Sequence, residues 1–174
     1  MLLKNLKLML NFFTLIGSLF ILAGSMLSAS DFNYDTGFAL KSDLADKATI
    51  TSMHKYNERI VAVGVHGIIL TSTDMGSNWT QAEKVPFSNT LTDVQCVSES
   101  QCWAVGHDLT ILYSVDGGKN WDVQYNDIDF DAPFLSIHMT DYLNGIVVGA
   151  FGKSVTTKDG GENWSPTILS LIHI

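Results

Sequence analysis

The sequence reads as all-β, a β-propeller built of four-stranded blades. Three observations point there. The segments "VAVGVHGIILTSTDMGSNW" (61–79), "WAVGHDLTILYSVDGGKNW" (103–121) and "IVVGAFGKSVTTKDGGENW" (146–164) align with one another. Three sets of landmarks keep one spacing of 42 and then 43 residues: Gly64, Gly106 and Gly149; Asp74, Asp116 and Asp159; Trp79, Trp121 and Trp164. The stretches between them are short, β-branched and alternating, with no helical period. Four short strands recurring every 40–45 residues or so describe a propeller blade.

Each unit divides the same way. An alternating apolar segment comes first, "ITSM" at 50–53, "LTDVQC" at 91–96 or "FLSIHM" at 134–139. A buried strand follows, "IVAVG", "CWAVG" or "GIVVG", and a tight turn leads to "GIILTS", "TILYS" or "KSVTT". An Asp/Gly turn comes next, and a fourth strand starts at the Trp. The expected blades cover about 48–87, 88–131 and 132–170, with residues 165–170 as the outer strand of the third. Three units do not close a ring, and closure is what protects blade edges. The sequence therefore reads as a partial propeller. A smaller possibility is that several chains assemble one ring.

The first 30 residues stand apart. Lys4 and Lys7 precede an apolar run from Leu8 to Leu27, and Ser28, Ala29 and Ser30 follow it. That is the layout of a secretory signal, with an uncleaved anchor helix as the alternative, since the run nears the ~20 residues that span a bilayer. Leu22-Ala23-Gly24-Ser25 has the form of a lipoprotein box with Ser where the lipidated Cys belongs, which leaves no thiol to lipidate. Either way, residues 31–174 lie outside the cytoplasm, in a periplasm, a lumen or the exterior. Residues 31–47 form an N-terminal extension, expected to add a strand to the last blade of the intact protein.

The formal charge of −8 becomes −10 once Lys4 and Lys7 are removed, and the chain carries a single arginine, Arg59. Nucleic acid and anionic lipid bind through Lys and Arg. Both are poor partners for this surface, and the membrane is reached only through the N-terminal segment. Cys96 and Cys102 flank "VSESQ", a spacing that reads as a disulfide across a hairpin in an oxidising compartment.

"STDMGSNW" (72–79), "SVDGGKNW" (114–121) and "TKDGGENW" (157–164) resemble Asp-box repeats, the bacterial neuraminidase repeats. The physics of the motif is structural. The Asp side chains bond nearby backbone N–H groups, and Gly76, Gly118 and Gly161 supply φ > 0. Trp79, Trp121 and Trp164 each offer about 150–250 Å² for burial. The strand ahead of each box, as in "CWAVGHDLTILYSVDGGKNW", makes residues 48–166 similar to the photosystem II stability and assembly factors and their relatives in non-photosynthetic bacteria. That resemblance implies a seven-bladed, non-enzymatic propeller that binds protein partners in a membrane-protein or envelope complex, without a cofactor. It also implies an arginine cluster on one face, where this chain has only Arg59.

The binding face is expected at the turns around 64–67, 106–110 and 149–152, with His66, His107, Asp108 and Phe151 as its candidates. Two other readings remain: the N-terminal part of a sialidase or glycosidase, or an envelope protein that binds polysaccharide. A sialidase site needs three arginines, so residues 1–174 cannot hold one. Asp127, Asp129 and Asp131 alternate in "NDIDFDAPF" in the manner of calcium ligands, but Ala132 stands where an EF-hand needs Gly. The segment reads as a solvated acidic connector. Asn78-Trp79-Thr80 fits a glycosylation sequon inside a box.

Overall fold

The computed structural model describes residues 37–167. The signal or anchor reading of 1–30 and the last residues of the third unit lie outside them. Three four-stranded antiparallel sheets follow one another, each a simple meander. The first holds β1 (Ile50–Tyr56), β2 (Arg59–Gly64), β3 (Ile69–Ser72) and β4 (Thr80–Gln81). The second holds β5 (Leu91–Cys96), β6 (Cys102–Gly106), β7 (Thr110–Ser114) and β8 (Asp122–Tyr125). The third holds β9 (Phe134–Met139), β10 (Gly145–Gly149), β11 (Ser154–Thr157) and β12 (Ser165–Pro166). These are blades one to three. Helical structure among the described residues is confined to single 3-10 turns at Ala45–Lys47, Val65–Gly67 and Ala150–Gly152.

The blades stack face to face, and alternation along each strand decides which joint a side chain enters. Val61, Val63 and Ile69 of blade one meet Val94, Ala104, Leu112 and Trp121 of blade two in one core. Trp103, Val105 and Ile111 leave the other side of blade two and meet Ile137, Met139, Val147 and Val155 of blade three in a second. Strand β6 is covered on both sides and is buried throughout. In β10 only Val147, which faces blade two, is buried. Ile146 and Val148 point to the side on which no described blade packs, and they stay half-exposed.

Residues 37–47, the described part of the extension, form no strand. Ala39 donates to Val85 O at 2.9 Å, Ser42 N donates to Gln81 Oε1 at 3.0 Å, and Gln81 Nε2 donates to Leu40 O at 2.8 Å. The segment then lays Ala45 on Ala62, Ile68 and Leu70, covering some of the outer side of blade one.

Neighbouring first strands are joined by side chains. Each carries a bulge at one repeat position, Thr51 in β1 and Thr92 in β5, with β9 shifted likewise at Leu135. Thr51 Oγ1 sits 3.0 Å from Val63 O in its own blade and 2.6 Å from Leu91 O in the next. Its single proton serves the shorter contact. Thr92 repeats this with Val105 O at 3.1 Å and Phe134 O at 2.6 Å. Asp93 spans all three blades, accepting from Ser52 Oγ, Ser136 Oγ and Ile137 N. Gln95 takes both the N–H and the carbonyl of Met139. At the preceding joint His54 has the corresponding role, its Nδ1 accepting from Cys96 N at 3.2 Å. Partial burial pushes the His54 pKa down, against a smaller opposing pull from Asp93, as a neutral acceptor nitrogen requires.

The glycines that end each second strand are required by space. A Cβ on Gly64 would run into Thr49 O, one on Gly106 into Thr90 O, and one on Gly149 into Pro133 O at 2.7 Å. Those same carbonyls accept from Val65, His107 and Ala150 N at 3.1, 3.0 and 3.0 Å.

Candidate interaction surface

The meander gives the blades two ends. One carries the three Asp boxes, between third and fourth strands, and the hairpin turns between first and second strands. The other carries the turns between second and third strands and the connectors that lead into the next blade.

At the box end the chemistry is spent on the fold. Ser72, Ser114 and Thr157 each accept from the box glycine N–H, of Gly76, Gly118 and Gly161, at 2.8, 2.9 and 2.9 Å. Each donates to its Asp, 74, 116 or 159, at 2.8, 2.9 and 2.8 Å. The same carboxylates accept the backbone N–H and the side-chain amide of Asn78, Asn120 and Asn163. The Asn78 amide holds the Asp74 pKa down at about 2. Asp159 is lowered by Asn163 in the same way. Burial pushes Asp116 up, but its bonds from Asn120, Ser114 and Lys119 outweigh that and leave it lowered. The box glycines sit at φ +88°, +90° and +89°, outside the range open to most side chains. Met75 holds φ 59° where the other boxes have Gly117 and Gly160.

The boxes also bind blade to blade. Arg59 Nη1 donates to Gly117 O at 3.1 Å, so blade one holds the box of blade two. Gln124 Nε2 donates to Gly160 O at 3.1 Å, so blade two holds the box of blade three, while Gln124 Oε1 accepts from Trp103 Nε1 at 3.0 Å. The connector adds Trp121 N to Lys84 O at 2.9 Å and Glu83 N to Lys119 O at 2.7 Å. The three tryptophans are equivalent in sequence but not in burial. Trp121 is fully buried between blades one and two and donates to Gly118 O at 2.9 Å. Trp164 packs against the second core, and among the described residues its Nε1 has no hydrogen-bond partner. Trp79 is 37% exposed, because no described blade lies on the side it faces. The anchoring expected of all three therefore does not extend to Trp79.

The Cys96–Cys102 disulfide closes the β5–β6 hairpin with 4.0 Å between Cα atoms, and both residues are buried. Asp127, Asp129 and Asp131 lie in the connector before blade three. Among the described residues, no three His, Cys, Asp or Glu side chains converge on a common point.

The opposite end presents the turns between second and third strands. The tip of each turn adopts φ near +55°, at His66, Asp108 and Phe151. His107 stands one residue before the tip of its turn. These four candidates lie at the same end of consecutive blades, at tips spaced by the repeat. His66 is exposed, His107 and Asp108 are half-buried, and Phe151 is 82% exposed. Asp108 Oδ2 accepts from Asn89 Nδ2 at 2.7 Å. Phe151 meets Phe130 edge to face with 6.3 Å between centroids.

Sequence reasoning named the box Asp, Gly and Trp but missed the residues that join blades. Thr51 and Thr92 left a signal, since they recur at nearly the repeat spacing. Arg59 and Gln124 left none, because each acts at its own joint from a position the repeat does not mark. Asp93 shares its repeat position with Ser52 and Ser136, whose hydroxyls give no hint of a carboxylate bridging both joints.

A family model described as Photosynthesis system II assembly factor YCF48 matches residues 81–172. The chloroplastic photosystem II stability/assembly factor HCF136 of Arabidopsis thaliana is 24% identical over 115 residues, 63% of this chain and 28% of that protein. The photosystem II assembly lipoprotein Ycf48 of Synechococcus sp. (strain CC9902) is 27% identical over 113 residues, 63% of this chain and 34% of that one. The chain thus spans about a third of the length of these relatives. Among solved structures, YCF48 bound to D1 peptide superposes with a TM-score of 0.61 at 24% identity, covering 68% of this chain and 40% of that one. YCF48 from Cyanidioschyzon merolae gives 0.58 at 19% identity, covering 74% and 42%. These two likenesses show the blade architecture, and the family match, which covers more than half of the sequence, shows that the chain belongs to the photosystem II assembly factor YCF48 family.

Proposed function

We propose that this chain is a non-catalytic assembly module, exported from the cytoplasm, that binds a segment of a membrane-protein complex through the end bearing His66, His107, Asp108 and Phe151. One observation carries the reading. The Ser/Thr, Asp and Asn side chains of the boxes are consumed by hydrogen bonds within their turns, whereas at the other end His66 and Phe151 stand exposed at their turn tips. A related propeller with a bound D1 peptide supports a photosystem subunit as the partner.

The arginine cluster implied by the family resemblance has no counterpart in the described blades. Arg59 is committed to Gly117 O and lies 3.5 Å from Glu99, with its side chain only 18% exposed. Recognition here must rest on other groups. The same commitment removes the one arginine that a sialidase-type carboxylate site would use.

The test is photo-cross-linking in the native compartment, with a photoreactive side chain in place of His66, of His107, or of Lys119 at the box end. Adducts to an integral membrane protein from the first two positions and not from the third are expected. Adducts from position 119 alone, or from none, overturn the reading.

A further inference from the structure

The third blade carries a specialisation that the other two lack. In blade two the connector reaches the turn tip through a polar contact, Asn89 to Asp108. In blade three the connector reaches the tip through Phe130 against Phe151, where Phe130 stands at the repeat position of the buried Phe87 and Phe151 at that of Asp108. Lys153 completes it with its ammonium 3.8 Å from the Phe130 ring centroid. Blade architecture does not call for an aromatic tip, since blades one and two use His66 and Asp108 at the same φ. A large apolar residue is also among the costlier choices for a left-handed backbone, which Asn or Asp tolerates better. Yet Phe151 is 82% exposed, and Ile128, two residues before Phe130 on the same connector, is 74% exposed. Around them lie Asp127, Asp129 and Asp131, none of which forms an ion pair among the described residues.

With three carboxylates against the single ammonium of Lys153 the patch is net negative, and exposed apolar side chains in such a setting favour a ligand with the opposite pattern. We infer that Phe151, Phe130 and Ile128 form a docking patch for a peptide segment whose apolar side chain is flanked by lysine or arginine. This rests on the interaction face proposed above and names the chemistry of its partner. Phe151 supplies the apolar contact. The three aspartates supply attraction that weakens with salt, and they disfavour acidic segments.

The probes are two labelled synthetic peptides with a central Leu-Phe pair, one flanked by lysines and one by glutamates, titrated by fluorescence anisotropy. The lysine peptide should bind and the glutamate peptide should not, with affinity falling as salt rises. Phe151→Asn should weaken binding about tenfold or more, as loss of a central aromatic anchor does, with an unchanged or higher melting temperature. Replacing Asp127, Asp129 and Asp131 together by Asn should also weaken binding and flatten its salt dependence. Binding that survives Phe151→Asn but falls with His66→Ala and His107→Ala would sink this inference and leave the wider face standing. Equal binding of both peptides also overturns it. Neither peptide binding, together with no cross-link from the turn end, overturns both.

Discussion

Arg59 and Gly117, 58 residues apart in sequence, are joined by a hydrogen bond from Nη1 to the backbone carbonyl at 3.1 Å. The carbonyl belongs to the Asp box of the following blade, so the motif that looks local in sequence is fastened from outside. Arg59→Met removes a charged donor from a mostly buried site and should cost about 1.5–3 kcal/mol in urea unfolding. Glu99, whose side chain is 55% exposed, should cost less than about 1 kcal/mol as Glu99→Gln. Equal effects would mean the ion pair, not the bond to Gly117, holds the joint.

The tryptophans separate position in the repeat from burial. Trp121→Ala should cost about 3–5 kcal/mol, since the ring is fully enclosed and its N–H is bonded. Trp79→Ala should cost about 1 kcal/mol or less, the range of exposed sites. Thermal denaturation of the two variants side by side reads the difference.

Two glycines distinguish backbone strain from crowding. Gly152 sits at φ +71° with open space beyond it, so Gly152→Ala should cost about 1 kcal/mol. Gly118, at φ +90°, would also set its new Cβ 3.0 Å from Thr71 Cγ2 of the preceding blade. Gly118→Ala should therefore cost about 2–3 kcal/mol, measured as a shift of the urea midpoint.

The box carboxylates fix the sign of acid sensitivity. Asp74 is held at about 2 by Asn78, below the roughly 3.9 of an unfolded aspartate. Between those values the unfolded chain binds more protons, so stability rises with pH there. The contribution is fully present above about pH 4 and is lost as pH falls through about 2. Asp116 and Asp159 are lowered as well and act in the same direction. Melting temperature followed from about pH 5 to about pH 2 should drop, with a shallower drop in Asp74→Asn.

The hairpin disulfide closes a loop with a sequence separation of 6. A loop that short restricts the unfolded chain modestly, by about 2–2.5 kcal/mol in the chain-entropy treatment. Alkylation without reduction should leave Cys96 and Cys102 unlabelled, and Cys96→Ser with Cys102→Ser should lower stability by about that amount while leaving the blades folded.

The fold was legible because each blade writes its own pattern into adjacent residues. Ser114, Asp116, Gly118 and Asn120 meet one another within a single turn, so geometry and sequence spacing coincide. What escaped was whatever depended on the neighbouring blade. Trp79 and Trp121 are indistinguishable in their local motifs, and only the presence or absence of a packed sheet divides them. Arg59 and Gln124 reach carbonyls at equivalent box positions from unrelated places in the chain, so no spacing betrays them. The turn end was located by the glycines at 64, 106 and 149, but the contrast between Asn89–Asp108 and Phe130–Phe151 needed the connectors to be seen in place.

Arg59 holds the box of blade two and Gln124 the box of blade three, so each of these turns is completed by a group borrowed from the blade before it. Such a turn is only as rigid as the joint beside it, and a loosened joint should show first as faster amide exchange in the box of the following blade.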